Sequence, residues 1–225
     1  MTTPRLRVLL FAAVATLGAS GCALLSKSAP IKPRYFSPER PADVPRPLSR
    51  RPDPPQELRL GRVACVANLD EMLVFRDSAR EVGYYRLRRW TEAPEQYLRR
   101  RLARVLFEER GLGEVVGGGG PTLDVQLTAF EEIRVPRRMA RVQVIVRLHD
   151  ARLVRWEETL TVEQPVAAGG DQADAAVAAI GRALRAVVDR IADRVVFELA
   201  VAPAVAPPVA PAATPTVAPA ARVSR

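Results

Sequence analysis

The chain has 225 residues, with 34 Lys and Arg against 25 Asp and Glu, one His, two Cys and a formal net charge of +9. Two cysteines build no disulfide framework, one His with two Cys is too sparse for a metal centre, and 48% hydrophobic residues suffice for one core of ordinary size. A basic balance often accompanies nucleic-acid binding, but no stacking aromatics are interleaved with these arginines, so anionic lipid head groups or an acidic protein fit better than nucleic acid.

The first element is an export signal. Arg5 and Arg7 precede an apolar run, Val8 to Leu17, and small residues then lead to one thiol in Ala19-Ser20-Gly21-Cys22. This pattern reads as a bacterial lipobox, with cleavage after Gly21 and acylation of Cys22, including palmitate. The run is about half of what a hydrocarbon core of ~30 Å demands. Residues 1–21 are therefore expected to be a removable signal, and the mature chain to be anchored to a membrane rather than to span it. Ala23 after the acylated cysteine favours the outer membrane, with the domain facing the periplasm.

Residues 22–57 read as a lipidated, Pro-rich linker. Nine prolines fall between Pro30 and Pro55, mixed with Arg34, Arg40, Arg46, Arg50 and Arg51. Such a segment is expected to be extended and semi-rigid at ~3 Å per residue, to contribute no core, and to lift the domain tens of ångströms off the membrane.

One domain is expected over residues 58–200. Leu58 to Ala67, Met72 to Arg76 and Gly83 to Trp90 read as strands. Pro94 opens a helix whose Leu98, Leu102, Val105 and Leu106 share one face, and Gly111 and Gly113 stop it. Three alternating strands follow: Leu123/Val125/Leu127, Val142/Val144/Val146/Leu148 and Val154/Trp156/Leu160/Val162. A last helix from about Asp171 to Phe197 carries the stripe Ile180, Leu184, Val187, Ile191, Val195. The order gives a single α+β domain, a mainly antiparallel sheet covered by two amphipathic helices. Residues 201–225 are Pro/Ala-rich and read as a second disordered arm.

No catalytic constellation emerges. Gly117 to Gly120 lacks the Lys-Ser/Thr ending of a phosphate loop and precedes a strand. Cys65 alternates like a buried strand residue, and His149 ends a strand without a nucleophile in any motif. Glu131-Glu132 and Glu157-Glu158 are adjacent, so on strands they point to opposite faces and read as solvated strand edges. No cofactor, metal ligand or catalytic residue is assigned, and binding is favoured over catalysis.

The segment Tyr84-Tyr85 through Arg89-Trp90-Thr91-Glu92-Ala93-Pro94, the helix after it, the strand Leu123 to Phe130, the strand Val142 to Asp150 and the Ala-rich last helix resemble the ABC-type transport auxiliary lipoproteins, the group that includes the paraquat-inducible lipoprotein. The resemblance implies a non-catalytic accessory of an ABC permease, its ATPase and an MCE-type substrate-binding protein that move lipid between membranes. It marks Tyr85, Trp90 and Pro94 as structural or partner-contact residues, with Trp90 under the first helix, and it admits a homo-oligomer. A different reading of the same features is a structural lipoprotein that ties the outer membrane to the cell wall or to a secretion machine.

Overall fold

The computed structural model describes residues 32–39, 52–169 and 171–201. Gly21, Cys22, most of the first Pro-rich arm and the arm after Val201 lie outside the described residues. In chain order the elements are β1 (Arg34–Phe36), β2 (Glu57–Cys65), β3 (Met72–Arg76), β4 (Val82–Trp90), α1 (Pro94–Ala103) continued by a π-helical segment (Arg104–Glu109), β5 (Gly113–Glu114), β6 (Thr122–Ile133), β7 (Met139–His149), β8 (Val154–Pro165) and α2 (Gln172–Val201). The class is α+β, one mixed sheet with two helices. Among the described residues no helix is long and apolar enough to cross a membrane.

β6, β7 and β8 form the antiparallel part. Their period-2 alternation places Leu123, Val125, Leu127, Val142, Val144, Val146 and Leu148 on one buried face. Beside this antiparallel part of the expected mainly antiparallel sheet, β2 and β3 both run parallel to β6. They lie end to end along the same edge of it: Arg59 to Cys65 face Thr122 to Leu127, and Val74 to Arg76 face Glu131 to Ile133. Between them the chain loops out and returns in the same direction, so no crossover is needed.

Both helices cover the buried face. α1 has Pro94 at its start, where the missing N–H costs nothing, and it buries Tyr97, Leu98 and Leu102. The widened turn after it ends with the Arg110 N–H donating to the Val105 carbonyl at 2.8 Å. Gly111 then takes φ 69°, which L side chains rarely adopt, and closes the helix. α2 buries Ile180, Leu184, Val187, Ile191 and Val195 against β7 and β8. Each such Leu, Ile or Val contributes roughly 1.5–3 kcal/mol relative to exposure.

The first arm departs from expectation at its middle. Arg34–Phe36, read as extended linker, adds a parallel edge strand to β4, with Arg34 opposite Arg88 and Phe36 opposite Trp90. The Phe36 carbonyl accepts from the Thr91 N–H at 3.0 Å, and the Phe36 ring is buried. The next turn lies across α2: a Cβ on Gly181 would stand 2.1 Å from the Pro38 carbonyl oxygen. Arg34 also pairs with Asp171, whose Oδ1 accepts from the Ala173 N–H at 2.9 Å and so caps α2. The segment that sequence composition assigns to a spacer is latched to the fold by a strand, a buried ring and a helix cap.

Gly181→Ala tests the latch. In a helix interior this change gains about 1 kcal/mol of propensity, but here it forces Pro38 away, so a net loss of roughly 1–3 kcal/mol is expected in urea unfolding of the full mature chain. In a chain beginning at residue 40 the same substitution is expected to be stabilising, and equal effects in both backgrounds would refute the docking. The Arg34 guanidinium and the Ala173 N–H hold the Asp171 carboxyl down to about 2. A depressed carboxylate stabilises the fold above its unfolded value near 4 and stops doing so as pH falls towards 2. Proteolysis after residue 39 should accordingly rise between pH 4 and pH 2, and Asp171→Asn should abolish that dependence.

Candidate functional site

Trp90, at the end of β4, is 2% exposed. Its ring meets Tyr97 of α1 edge-on at 6.3 Å and Phe130 of β6 at 5.0 Å, geometries favoured by the ring quadrupoles. Trp90 Nε1 is buried without a hydrogen-bond partner among the described residues. Burial of the ring outweighs that loss, since a large aromatic removes far more apolar surface than one N–H costs. Pro94 is also buried, and the Tyr97 hydroxyl bonds Thr91 Oγ1 at 2.6 Å and accepts from the Glu92 N–H at 3.1 Å, tying the turn between β4 and α1 to the helix. Trp90 and Pro94 therefore form the joint between strand and helix and present little to a partner.

Tyr85 lies elsewhere, in a charged cluster where β3, β4, β6 and β7 meet. Glu131 and Glu132, read from sequence as a solvated edge, are only 2% and 1% exposed. They do point to opposite faces. Glu131 receives a two-pronged bond from Arg76 at 2.9 and 3.2 Å, with Arg141 at 3.7 Å. Glu132 accepts from Arg138 Nε at 2.7 Å and from the Tyr85 hydroxyl at 2.5 Å, with Arg134 at 3.9 Å. Arg134 lies 3.4 Å from the Phe75 ring centroid and 4.9 Å from that of Tyr85, so the cation is stacked as well as paired. Burial pushes the Tyr85 phenol above its ordinary value, and the adjacent Glu132 adds to the rise. The phenol thus stays protonated and remains a donor.

The sheet face away from the helices is polar. Arg141 pairs with Glu163 at 2.7 Å, Arg147 with Glu157 at 3.0 Å, Gln143 donates to Thr161 Oγ1 at 2.8 Å, and His149 meets Asp124 at 3.1 Å. Glu157 is on this solvated face as read, and Glu158 accepts from Trp156 Nε1 at 3.0 Å. A shallow depression of about 280 Å³, lined by Arg62, Asp124, Gln126, Ile145 and Arg147, is at the small end of ligand-pocket size. Cys65 also lines it; its Sγ bonds the Leu69 carbonyl at 3.0 Å, and burial, with Glu95 adding, pushes its thiol up to about 11. Cys65 is accordingly a poor nucleophile at neutral pH. Among the described residues no group of three or more His, Cys, Asp or Glu is arranged to hold a metal.

The residues that sequence reasoning missed are Phe75, Arg76, Arg134 and Arg138. The only local hint is that Glu131-Glu132 interrupt an otherwise alternating strand. Their partners are supplied by β3, β4 and the β6–β7 turn, up to 55 residues away.

Comparison with known proteins matches residues 39–192 to a family described as the ABC-type transport auxiliary lipoprotein component. The match begins after β1. A crystal structure of a Xanthomonas campestris protein of the DUF330 family is 19% identical, with a TM-score of 0.59 over 73% of this chain and 96% of its own. A crystal structure of an uncharacterized protein is 16% identical, with a TM-score of 0.56 over 73% of this chain and 99% of its own. At these identities the likeness is one of fold. No curated protein matches.

Glu132→Ala should destabilise the domain by roughly 2–4 kcal/mol, somewhat below a fully buried pair because its arginines are partly solvated. Tyr85→Phe should cost about 1–1.5 kcal/mol. In denaturant unfolding the double variant should cost less than the sum of the two; strict additivity would show that the phenol and carboxylate are not coupled.

Proposed function

Because the chain belongs to the ABC-type transport auxiliary lipoprotein family, we propose that it works as a membrane-anchored, non-catalytic docking module of an ABC transport system. In this reading acylated Cys22 holds it to the outer membrane facing the periplasm, and the α+β domain engages an MCE-type substrate-binding protein associated with the permease and ATPase. The cargo would then be lipid passing between the two membranes. The chain's own residues supply attachment, reach and a rigid surface, and no step of chemistry is asked of them.

The observation that carries this reading is the separation of the two arms. The N-terminal arm enters at Arg34, which pairs with Asp171 at the start of α2. The C-terminal arm leaves after Val201, at the other end of the same 30-residue helix. At 1.5 Å per residue α2 is about 45 Å long. A domain anchored at one end of a stiff helix-braced sheet, with a Pro/Ala arm leaving the far end, is shaped to hold something away from the membrane. The polar, uncovered sheet face running along it offers paired arginines and glutamates suited to a reversible protein interface.

Crosslinking in the native envelope followed by affinity recovery of the acylated protein tests the proposal. An MCE-type protein recovered together with an ABC permease is the expected result. Recovery of cell-wall or secretion components alone would overturn it in favour of a structural tether. Cys22→Ser is expected to release the protein from the membrane fraction while leaving the fold, measured by circular dichroism, unchanged.

A further inference from the structure

The arm that leads to Cys22 and the β6–β7 turn arrive at the same end of the domain. Arg34 pairs with Asp171, and Arg88 meets the same carboxylate at 3.9 Å. Arg138, at the end of the turn, donates to the Gln172 carbonyl at 3.1 Å, and its own carbonyl accepts from the Val166 N–H at 3.1 Å. Both therefore converge on the first turn of α2. The β3–β4 turn joins them, because the Arg134 N–H donates to the Arg76 carbonyl at 3.0 Å and its guanidinium meets Asp77 at 3.4 Å.

At this end an exposed apolar pair is flanked by arginines; Leu153 and Val154 stand similarly between Arg152 and Arg155 in the β7–β8 turn of the opposite end, and the position of the Arg34 arm tells the two ends apart. The β6–β7 turn reads Arg134-Val135-Pro136-Arg137-Arg138, three arginines around an apolar pair. Val135 is 59% exposed, and Pro136 and Arg137 are exposed with it. Arg134 and Arg138 are steadied from behind by buried Glu132. Lys32, Arg80 and Arg137 have no ion pair among the described residues; Glu81 and Asp174 are the unpaired acids of the same end. An exposed aliphatic side chain flanked by cations is the chemistry of an interfacial membrane contact, where the apolar group enters the head-group boundary and the cations meet lipid phosphate.

The chain length bounds how far a membrane anchored at Cys22 could lie from this end. Lys32 is the first described residue and follows Cys22 by ten positions. Ten residues span at most roughly 35 Å, and less in any bent path. We infer that the β6–β7 turn, with Val135 at its tip and Arg137 beside it, rests on an anionic lipid surface at the membrane to which the chain is anchored. This rests on the proposed acylation of Cys22. The contact sets the orientation of the domain: this end meets the lipid, and the Gly117–Gly120 loop and Val201, at the opposite end of the sheet, point away.

The test uses the full mature acylated protein in vesicles of phosphatidylcholine with or without a third of phosphatidylglycerol. In a Cys65→Ser background, a nitroxide is attached to Val135→Cys or, as a control, to Val116→Cys, which is 92% exposed in the loop at the far end. The expected result is that the label at position 135 becomes several-fold less accessible to an aqueous collider in anionic vesicles only, while the one at position 116 does not change. Arg80→Glu with Arg137→Glu should remove most of that protection, since each cation near an anionic surface strengthens contact about fivefold. Equal aqueous accessibility at both positions in anionic vesicles would overturn the inference. Mass spectrometry of the same preparation separates the two failures: acylated Cys22 with an exposed tip refutes only the contact, whereas an unacylated mature chain refutes the anchored reading on which it rests.

Discussion

The double use of one edge of β6 is the constraint on which the rest of the structure depends. β7 pairs along the whole of one side, from Thr122 opposite His149 to Ile133 opposite Met139. On the other side β2 takes the first half and β3 the second. The handover falls where β6 itself shifts register between Leu127 and Ala129, and Thr128 Oγ1 there bonds the Gln143 carbonyl at 3.2 Å. A bulge bends a strand and re-aims its side chains. Here it brings Phe130 under Trp90 and places Glu131 and Glu132 within reach of β3 and β4. The aromatic joint and the charged cluster are both consequences of that one irregularity.

The arginine excess acquires a structural meaning from the same geometry. A net charge of +9 disfavours compaction unless cations are matched locally. Arg76 and Arg138 are matched to carboxylates that are themselves out of water, and Arg134 is stacked on two rings. Arg141 and Arg147 are matched across neighbouring strands, where opposite charges face each other directly. The uncovered sheet face thus carries alternating charge with little field beyond it. The surplus is left at the ends, and at the β6–β7 turn it coincides with an exposed valine.

What was legible in the sequence is what depends on near neighbours. The alternation of β6, β7 and β8 and the stripe of α2 follow from side-chain periodicity, and their observed spans differ from the periodic segments by a few residues. Pro94 marks the first helix because its ring tolerates only an early helical position. Two features escaped for opposite reasons. Arg34–Phe36 is hidden in a run of prolines, and only its pairing with β4 and the passage of Pro38 over Gly181 make it a strand. Glu131-Glu132 looks solvated because charged pairs usually are, and the cations that bury it come from distant elements. Cys22, the carrier of the proposed anchor, is legible only as a motif.

The latch at β1 changes what a tether could do. With the anchor proposed at Cys22, an arm from Cys22 to Glu57 would be 35 positions long, whereas a fold that begins its strand at Arg34 leaves ten positions from Cys22 to Lys32. Local concentration falls roughly as the −3/2 power of linker length, so on the proposed anchor a shortening from 35 positions to ten would raise it about sevenfold at the membrane. The same shortening limits height. On the proposed reading, a partner in the periplasm would be met by the far end of a domain braced by a helix of about 45 Å, and not by a domain paid out on a long leash. On that reading, rigidity in β1, the Asp171 cap and α2 would do the positioning that the proline content at first assigns to the linker.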